Sequence, residues 1–282
     1  MIELTIDEIK KIQLNMLIDF AAFCDRNNIT YYLAGGTLLG AVRHQGFIPW
    51  DDDIDLMMPR KDFDRAISKY NHNFYKLNYV TNNEEHYEQI AKLCDTRTYL
   101  FNDSYRNTEI NSINFVAIDI CPIDGLPNNV VKQKALFFVV GILNAIHSAT
   151  VLSIKPTKRY QDSHAGLLNW KLHLRNIAKY IMIGIFGRTK PQYWVKVLNE
   201  IVTKEDFYNH NYVAALVSCI HGSKEKMPSH IYEPKKLLEF EGHKFWGLAD
   251  NDYYLSHLYG DYMKLPSEDK RVSHHDLKAY WK

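Results

Sequence analysis

The sequence has no surplus charge of either sign: 34 Lys and Arg against 33 Asp and Glu leave a formal net charge of +1. Such a chain has no broad basic field with which to hold nucleic acid by its phosphates. Nucleic acid is therefore not an expected partner, and any phosphate site must be local. Cysteine is scarce and scattered. Cys24, Cys94, Cys121 and Cys219 form no Cys-x-x-Cys pair and no zinc-like cluster with histidine, so they read as buried thiols in a reducing compartment. The basic and apolar segments of a secretory signal are missing too: Met1-Ile2-Glu3 is followed by Asp7 and Glu8, and the expected address is the cytoplasm. No internal repeat is visible. With 46% hydrophobic residues over 282 positions, the chain can still bury a full-sized core, which argues against disorder.

Thr5 and Glu8 form a capping box, and Ile9, Ile12, Met16, Phe20 and Phe23 recur at helical spacing. This predicts an amphipathic helix over 6–27, ended by Asn27-Asn28. Buried strands are predicted over 30–34 and over 54–58, the latter stopping at Pro59, with a polar helix over 61–70. Further strands are expected over 75–80, 89–93, 99–101 and 114–121, separated by polar turns. Beyond Pro122 and Pro127 the texture changes to apolar helical stretches over 131–153, 165–187 and 190–203. The reading is an α/β (α+β) protein, with a mixed-sheet catalytic core in 1–128 and a helical region in 129–282 that ends in a substrate-closing segment.

Two apolar stretches bear on membranes. Residues 135–154 carry no charge, yet Asn144, His147, Ser148 and Thr150 interrupt them, which is costly for a lone spanning helix and ordinary for a packed one. Residues 177–187 are too few to span and are flanked by Lys171, Arg175, Arg188 and Lys190, the pattern of a helix lying at a membrane surface. Burial is the preferred reading of both stretches; a transmembrane span is the alternative for the first and peripheral membrane contact for the second.

The chemistry concentrates near residue 50. Gly35 and Gly36 follow a strand and precede Thr37, a candidate helix cap, so bare backbone N–H groups meet a helix start where a phosphate can dock. A tight turn explains a Gly-Gly pair equally well. Asp53 and Asp55 alternate with Ile54 and Leu56, so both carboxylates project from one face of a strand. Parallel carboxylates repel unless a divalent cation neutralises them, and Mg2+ (or Mn2+) bridging to substrate phosphates is the usual solution. The plainer alternative is a solvated acidic turn, against which stand the apolar Ile48, Pro49, Trp50 and Leu56. A calcium loop opening at Asp51 fails, because Leu56 stands where glycine is required and Asp62 where glutamate belongs. Asp119 lies alone between Val116, Ile118 and Ile120, and an acid in such a strand needs a partner or a metal.

Gly-Gly, Asp-x-Asp and a later lone Asp in an apolar strand together resemble the nucleotidyltransferase constellation, in which three carboxylates hold two metals around a phosphoryl transfer. The run from Gly35 to Leu56, GGTLLGAVRHQGFIPWDDDIDL, is similar over its whole length to the signature of the LicD family. Ile118-Asp-Ile-Cys-Pro-Ile-Asp-Gly125 resembles that family's second block, and Tyr259-Gly-Asp-Tyr-Met263 with Arg271 and His274 its C-terminal block. Between them, residues 130–225 match only in helical, apolar character. The resemblance implies a nucleotidyltransferase-type core and a phosphotransferase that moves a phospho-alcohol from a CDP-alcohol, CDP-choline above all, and releases CMP. The acceptor would be a hydroxyl of a teichoic-acid, lipopolysaccharide or capsule precursor. CDP-ribitol or CDP-glycerol as donor, or NMP transfer from an NTP, are the alternatives. Metal ligation by Asp53, Asp55 and Asp119 is implied, with Asp119 also orienting or deprotonating the acceptor. A lipid-linked acceptor would explain the apolar, basic-flanked helices and put the enzyme at the inner face of the cell membrane.

Further residues carry lesser expectations. Arg43 is a candidate phosphate ligand, with His44 beside it. Lys92 would touch a phosphate or lie along the sheet edge. Asp51 and Asp52 would support the metal ligands, and Asp124 would cap the turn at Gly125. Tyr259, Tyr262, Arg271, His274 and His275 form a polar-aromatic cluster suited to closing over an anion. Trp50, Tyr259 and Tyr262 are candidate faces for the ammonium of choline. At Trp246-Gly-Leu-Ala249 a proline-bearing strand end is expected instead.

Overall fold

In the computed structural model, which describes residues 2–101, 115–151, 170–271 and 278–282, the capping box starts helix α1 (Ile6–Arg26). Thr5 N–H donates to Glu8 Oε2 at 2.7 Å and Glu8 N–H donates to Thr5 Oγ1 at 3.3 Å, which satisfies two of the helix's orphan donors. Met16, Leu17, Phe20 and Cys24 follow on one side and are fully buried where α1 packs on the sheet.

That sheet is built from β2 (Tyr32–Leu33), β3 (Asp55–Pro59), β4 (Tyr75–Asn78), β5 (Ala91–Asp95) and β7 (Ala117–Gly125), with α2 (Gly35–His44) and α3 (Arg60–Lys69) between the early strands. Its order is β2-β3-β7-β5-β4; β3 and β7 run parallel and the other pairs antiparallel. The register sets Asp55 of β3 beside Asp119 of β7, and Asp119 beside Lys92 of β5. Partners across a ladder project from the same face, so these three side chains form a row across three central strands. Ile54, Leu56, Ile118 and Ile120 are buried beneath them. The fold is α/β, as the alternating pattern predicts.

Three helices follow: α4 (Val130–Val151), α5 (Trp170–Phe186) and α6 (Pro191–Val202). α4 packs on α5 and α6, and Val140, Leu143, Leu198 and Val202 share a second core with Leu126, Ala214, Leu216 and Val217. The polar residues that interrupt α4 find partners within the protein. Asn144 Oδ1 accepts from the Gln89 amide at 2.6 Å, and His147 Nε2 lies 2.6 Å from the Tyr87 carbonyl. The expected burial thus holds for one side of α4 only. Val131, Phe138 and Ile142 on α4, and Ile177, Ile181 and Ile185 on α5, are exposed. By length and composition alone α4 is apolar enough to cross a membrane.

Beyond Val202 the chain departs from the expected helical texture. β8 (Tyr212–Ala214) pairs antiparallel with the end of β7 and with β9 (Met227–Pro228). β10 (Lys236–Phe240) and β11 (His243–Gly247) form a hairpin whose turn residues, Glu241 and Gly242, have φ of 51° and 74°, the twist a two-residue hairpin favours. β12 (Lys278–Trp281) inserts between β1 (Ile2–Glu3) and β6 (Thr98–Phe101), so the end of the chain returns to its beginning. Strands of two to five residues are too short to show alternation, which is why the helical expectation overran them. At Trp246 no proline is needed: β11 ends at Gly247, and Asp250 caps α7 (Asn251–Tyr259) by accepting from Tyr253 N–H at 2.9 Å.

Asp124 does not cap the turn at Gly125. Its carboxylate is fully buried and takes two hydrogen bonds from Arg60 of α3, at 2.7 and 2.8 Å. Burial beside a guanidinium outweighs a local turn contact, because an unpaired charge there would be far costlier.

Candidate active site

β2 ends at Leu33, and after Ala34 the chain turns into α2 through Gly35 at φ +48°, a conformation that disfavours any residue with a Cβ. The bare backbone also makes room. A Cβ at Gly35 would lie 3.1 Å from Asp55 Oδ2 and 3.8 Å from the Tyr259 hydroxyl, and one at Gly36 would lie 2.6 Å from Asp51 Oδ2. Carboxylates and a phenol therefore crowd against the start of α2. Thr37 does not cap that helix. Its hydroxyl accepts from Asp55 N–H at 2.8 Å, while Ala34 N–H donates to the Asp55 carbonyl at 3.0 Å. Both bonds fasten the helix start to the strand that carries Asp55.

Asp55 is the electrostatic centre. Burial first, then the charges of Asp53, Asp119 and Asp51, hold its carboxyl well above the usual range, with Lys92 acting in the opposite sense. Lys92 Nζ lies 2.7 Å from Asp119 Oδ1 and 3.2 Å from Glu88 Oε2. Asp51 and Asp55 thus crowd the helix start, and Asp119, beside Asp55 in register, meets the lysine. Among the described residues, no three His, Cys, Asp or Glu side chains are grouped tightly enough to hold a metal as they stand. The donor chemistry nevertheless fits a hard divalent cation: the groups are all-oxygen, mutually repelling, and partly turned onto a lysine that a cation could relieve.

A family model described as the LicD/FKTN/FKRP nucleotidyltransferase domain matches residues 28–138, the segment that supplies every one of these acids. Lipopolysaccharide cholinephosphotransferase LicD of Haemophilus influenzae is 30% identical over 283 residues, covering 99% of this chain and 98% of that protein. The chain belongs to the LicD family. It is a transferase. Two shorter matches are to uncharacterized proteins: one of Rickettsia prowazekii, 42% identical over 69 residues (24% of this chain, 26% of that protein), and one of Rickettsia typhi, 48% identical over 58 residues (20% and 19%).

In this LicD protein the remaining predicted residues divide into two groups. Tyr259 stands at the acids. Burial, followed by the charges of Asp55, Glu225, Asp51 and Asp53, raises its phenol above the ordinary range, so it remains a donor. Arg271, beyond it, donates through Nε to the Pro266 carbonyl at 2.8 Å, with its guanidinium 5.8 Å from the Trp50 ring centre. His44 meets the same indole edge-on at 6.4 Å. Burial and the adjacent Arg43 charge lower the pKa of His44.

Arg43 and Tyr262 are turned to one another. Arg43 donates through Nε to His44 Nε2 at 3.0 Å and through Nη1 to the Tyr262 carbonyl at 2.5 Å, and the Tyr262 hydroxyl donates to Asp252 at 2.8 Å. Arg43 thereby ties the end of α2 to the segment after α7, and buried Tyr262 has its hydroxyl committed. Asp52 is buried. His274 and His275 lie outside the described residues.

The sequence reading passed over two residues here. The 3-10 turn Gly222–Glu225 brings buried Glu225 and the ring of His221 up behind Tyr259. No local pattern marks them; the alternation that exposed Asp119 has no counterpart in a turn of four residues.

Proposed function

We propose that this protein transfers phosphocholine from CDP-choline to a hydroxyl of a lipopolysaccharide or related cell-surface glycan precursor and releases CMP. The observation that carries the reading is end-to-end similarity to a lipopolysaccharide cholinephosphotransferase, with the paired Asp55 and Asp119 as the chemical support. In the reaction, the acceptor oxygen attacks the choline-bearing phosphorus, the P–O–P bond breaks, and CMP leaves with the bridging oxygen. Asp119 orients the acceptor hydroxyl and takes its proton. The N–H groups at Gly35 and Gly36 hold phosphate oxygens at the start of α2, and Lys92 balances the charge that gathers there. Asp53, Asp55 and Asp119 would hold Mg2+ or Mn2+, which when bound would neutralise the diphosphate and the departing phosphate.

The test is to incubate the protein and Mg2+ with CDP-choline, CDP-ribitol and CDP-glycerol, with and without glycan acceptor, and to follow CMP. Acceptor-dependent CMP from CDP-choline is expected. Preference for CDP-ribitol or CDP-glycerol would change the alcohol, and pyrophosphate from an NTP would replace the reaction class.

We also propose that a cytoplasmic enzyme meets a lipid-linked acceptor through the exposed apolar residues of α4 and α5, which lie near exposed Lys132, Lys134, Arg188 and Lys190. Apolar residues beside cations suit an anionic bilayer surface. Co-sedimentation with phosphatidylglycerol vesicles but not with phosphatidylcholine vesicles is the expected outcome, and equal recovery with both would remove the electrostatic part.

A further inference from the structure

Glu225 ends a 3-10 turn that packs against both α4 and α7, and its residue is only 7% exposed. Its hydrogen bond in the structure is from the His221 backbone N–H to Oε1, at 3.1 Å. Among the described residues no Lys, Arg or His side chain forms an ion pair with it. The neighbouring Lys226 is turned elsewhere, onto Gln133 at 2.8 Å and over the Tyr212 ring. A carboxylate that deep ordinarily carries a matched cation, since burial of an isolated charge is strongly unfavourable.

Burial raises the Glu225 carboxyl, and the N–H and the charge of His221 act in the opposite sense; the rest of its surroundings is aromatic. The turn packs against α7, which carries Tyr254 and Tyr259, and the His221 ring stands edge-on to Tyr259 at 6.0 Å; the Glu225 charge adds to burial in raising the hydroxyls of Tyr232, Tyr254 and Tyr259. Tyr232 and Tyr254 are buried, whereas Tyr259 is 39% exposed and is the ring that reaches Gly35 and Asp55. Tyr259 therefore has the acids around Asp55 on one side and the buried Glu225 carboxylate on the other. In a phosphocholine donor the quaternary ammonium is separated from the phosphorus by one oxygen and two carbons. It cannot donate an ordinary hydrogen bond, so aromatic rings and a carboxylate are the groups that recognise it.

We propose that Glu225, with Tyr259 and His221 beside it, forms the subsite that receives the quaternary ammonium of the donor. The assignment rests on the phosphocholine reading above. It makes Glu225 a specificity-determining residue from the part of the chain, 130–225, in which the sequence offered only apolar helices.

The test measures binding of CDP-choline and of CDP by titration calorimetry, and KM for CDP-choline, in wild type and Glu225→Gln. The amide keeps the shape and removes the charge. CDP-choline affinity is expected to fall by at least about tenfold more than CDP affinity, the ratio that corresponds to roughly 1.4 kcal/mol. Equal losses for the two ligands, or no loss, would overturn the subsite. Should the amide variant not fold, Glu225→Asp gives the same comparison with the charge kept but withdrawn, and an unchanged ratio of CDP-choline to CDP affinity in it would likewise overturn the subsite. The two readings fail differently. If wild type turns over CDP-ribitol and not CDP-choline, the phosphocholine reading falls and the subsite with it. If wild type uses CDP-choline and the variants discriminate as it does, only the subsite falls.

Discussion

Asp119 and Asp124 lie five residues apart on β7 and face opposite ways, and their surroundings could hardly differ more. The Asp119 side chain is 27% exposed, meets Lys92 at 2.7 Å and stands in a row with Asp55. The Asp124 side chain is 0% exposed and is gripped by both arms of Arg60. Arg60 in turn donates to Asn199 Oδ1 at 3.1 Å, and that oxygen also accepts from the Tyr79 hydroxyl at 2.7 Å. One end of the strand therefore joins α3, α6 and the residue after β4 into a closed polar network, while the other end leaves acids facing acids. Residue type does not separate the two roles. Whether the carboxylate has a cation to itself within the fold, or shares one among several acids, does.

The largest expected effect is at the acid-rich end. Asp55→Asn and Asp119→Asn should each lower CMP release by orders of magnitude while the protein stays folded, because each relieves repulsion within the set of acids and Glu88 remains beside Lys92 when Asp119 loses its charge. EDTA should stop wild-type turnover, and Mg2+ or Mn2+ should restore it. Near-normal turnover in either variant, or in metal-free protein, would break the assignment of that end to chemistry.

At the matched end the effect should be on stability instead. Asp124→Ala strands the Arg60 guanidinium without its counter-charge, and losses of about 3–5 kcal/mol are typical of that change. Chemical denaturation would measure it. A loss under about 1 kcal/mol would mean that water or Asn199 already carries Arg60, and the contrast between the two ends would weaken.

A smaller effect sharpens the same contrast through pH. The folded-state pKa of Asp55 is raised, chiefly by burial and then by Asp53, Asp119 and Asp51. A raised folded pKa contributes stability that is fully present below the unfolded value and is lost as pH rises through the folded value. Wild type should therefore lose this contribution as pH rises above the ordinary carboxylate range, and Asp55→Asn should flatten that part of the profile. Mg2+ should raise the wild-type melting temperature at neutral pH more than that of the variant. Identical Mg2+ shifts in the two proteins would place cation binding elsewhere.

The contrast also marks what could be read from the sequence. Asp119 was legible because a strand alternates, and a charged residue among Val116, Ile118 and Ile120 must emerge on the other face whatever the tertiary fold. The capping box at Thr5 and the glycines at 35 and 36 are likewise governed by nearest neighbours. Asp124 was misread as a turn cap because its partner, Arg60, is 64 residues away, and no local rule reports a distant guanidinium. Thr37 was misread for the same reason, since its hydroxyl serves Asp55, 18 residues on. Glu225 had no signal at all: a glutamate in a turn is ordinarily solvated, and only the packing of the turn against α4 and α7 buries it.

The smallest predicted effect concerns Trp50, which sequence reasoning offered as a wall for the ammonium. In the structure the indole already has a cation near its face, the Arg271 guanidinium at 5.8 Å, with His44 at its edge. Arg271 comes from the segment after α7, so Trp50 is positioned to hold that segment's positive charge beside the acids, where a diphosphate would need it. The diphosphate is common to all CDP-alcohols. Trp50→Ala should therefore weaken CDP-choline and CDP-ribitol alike, by about 0.5–1 kcal/mol for an exposed cation–π contact, or roughly two- to fivefold in KM. Arg271→Ala should produce the same loss, and the double variant little more, because the two residues act through one contact. A loss confined to CDP-choline in Trp50→Ala would return the indole to the ammonium site and leave Glu225 sharing it.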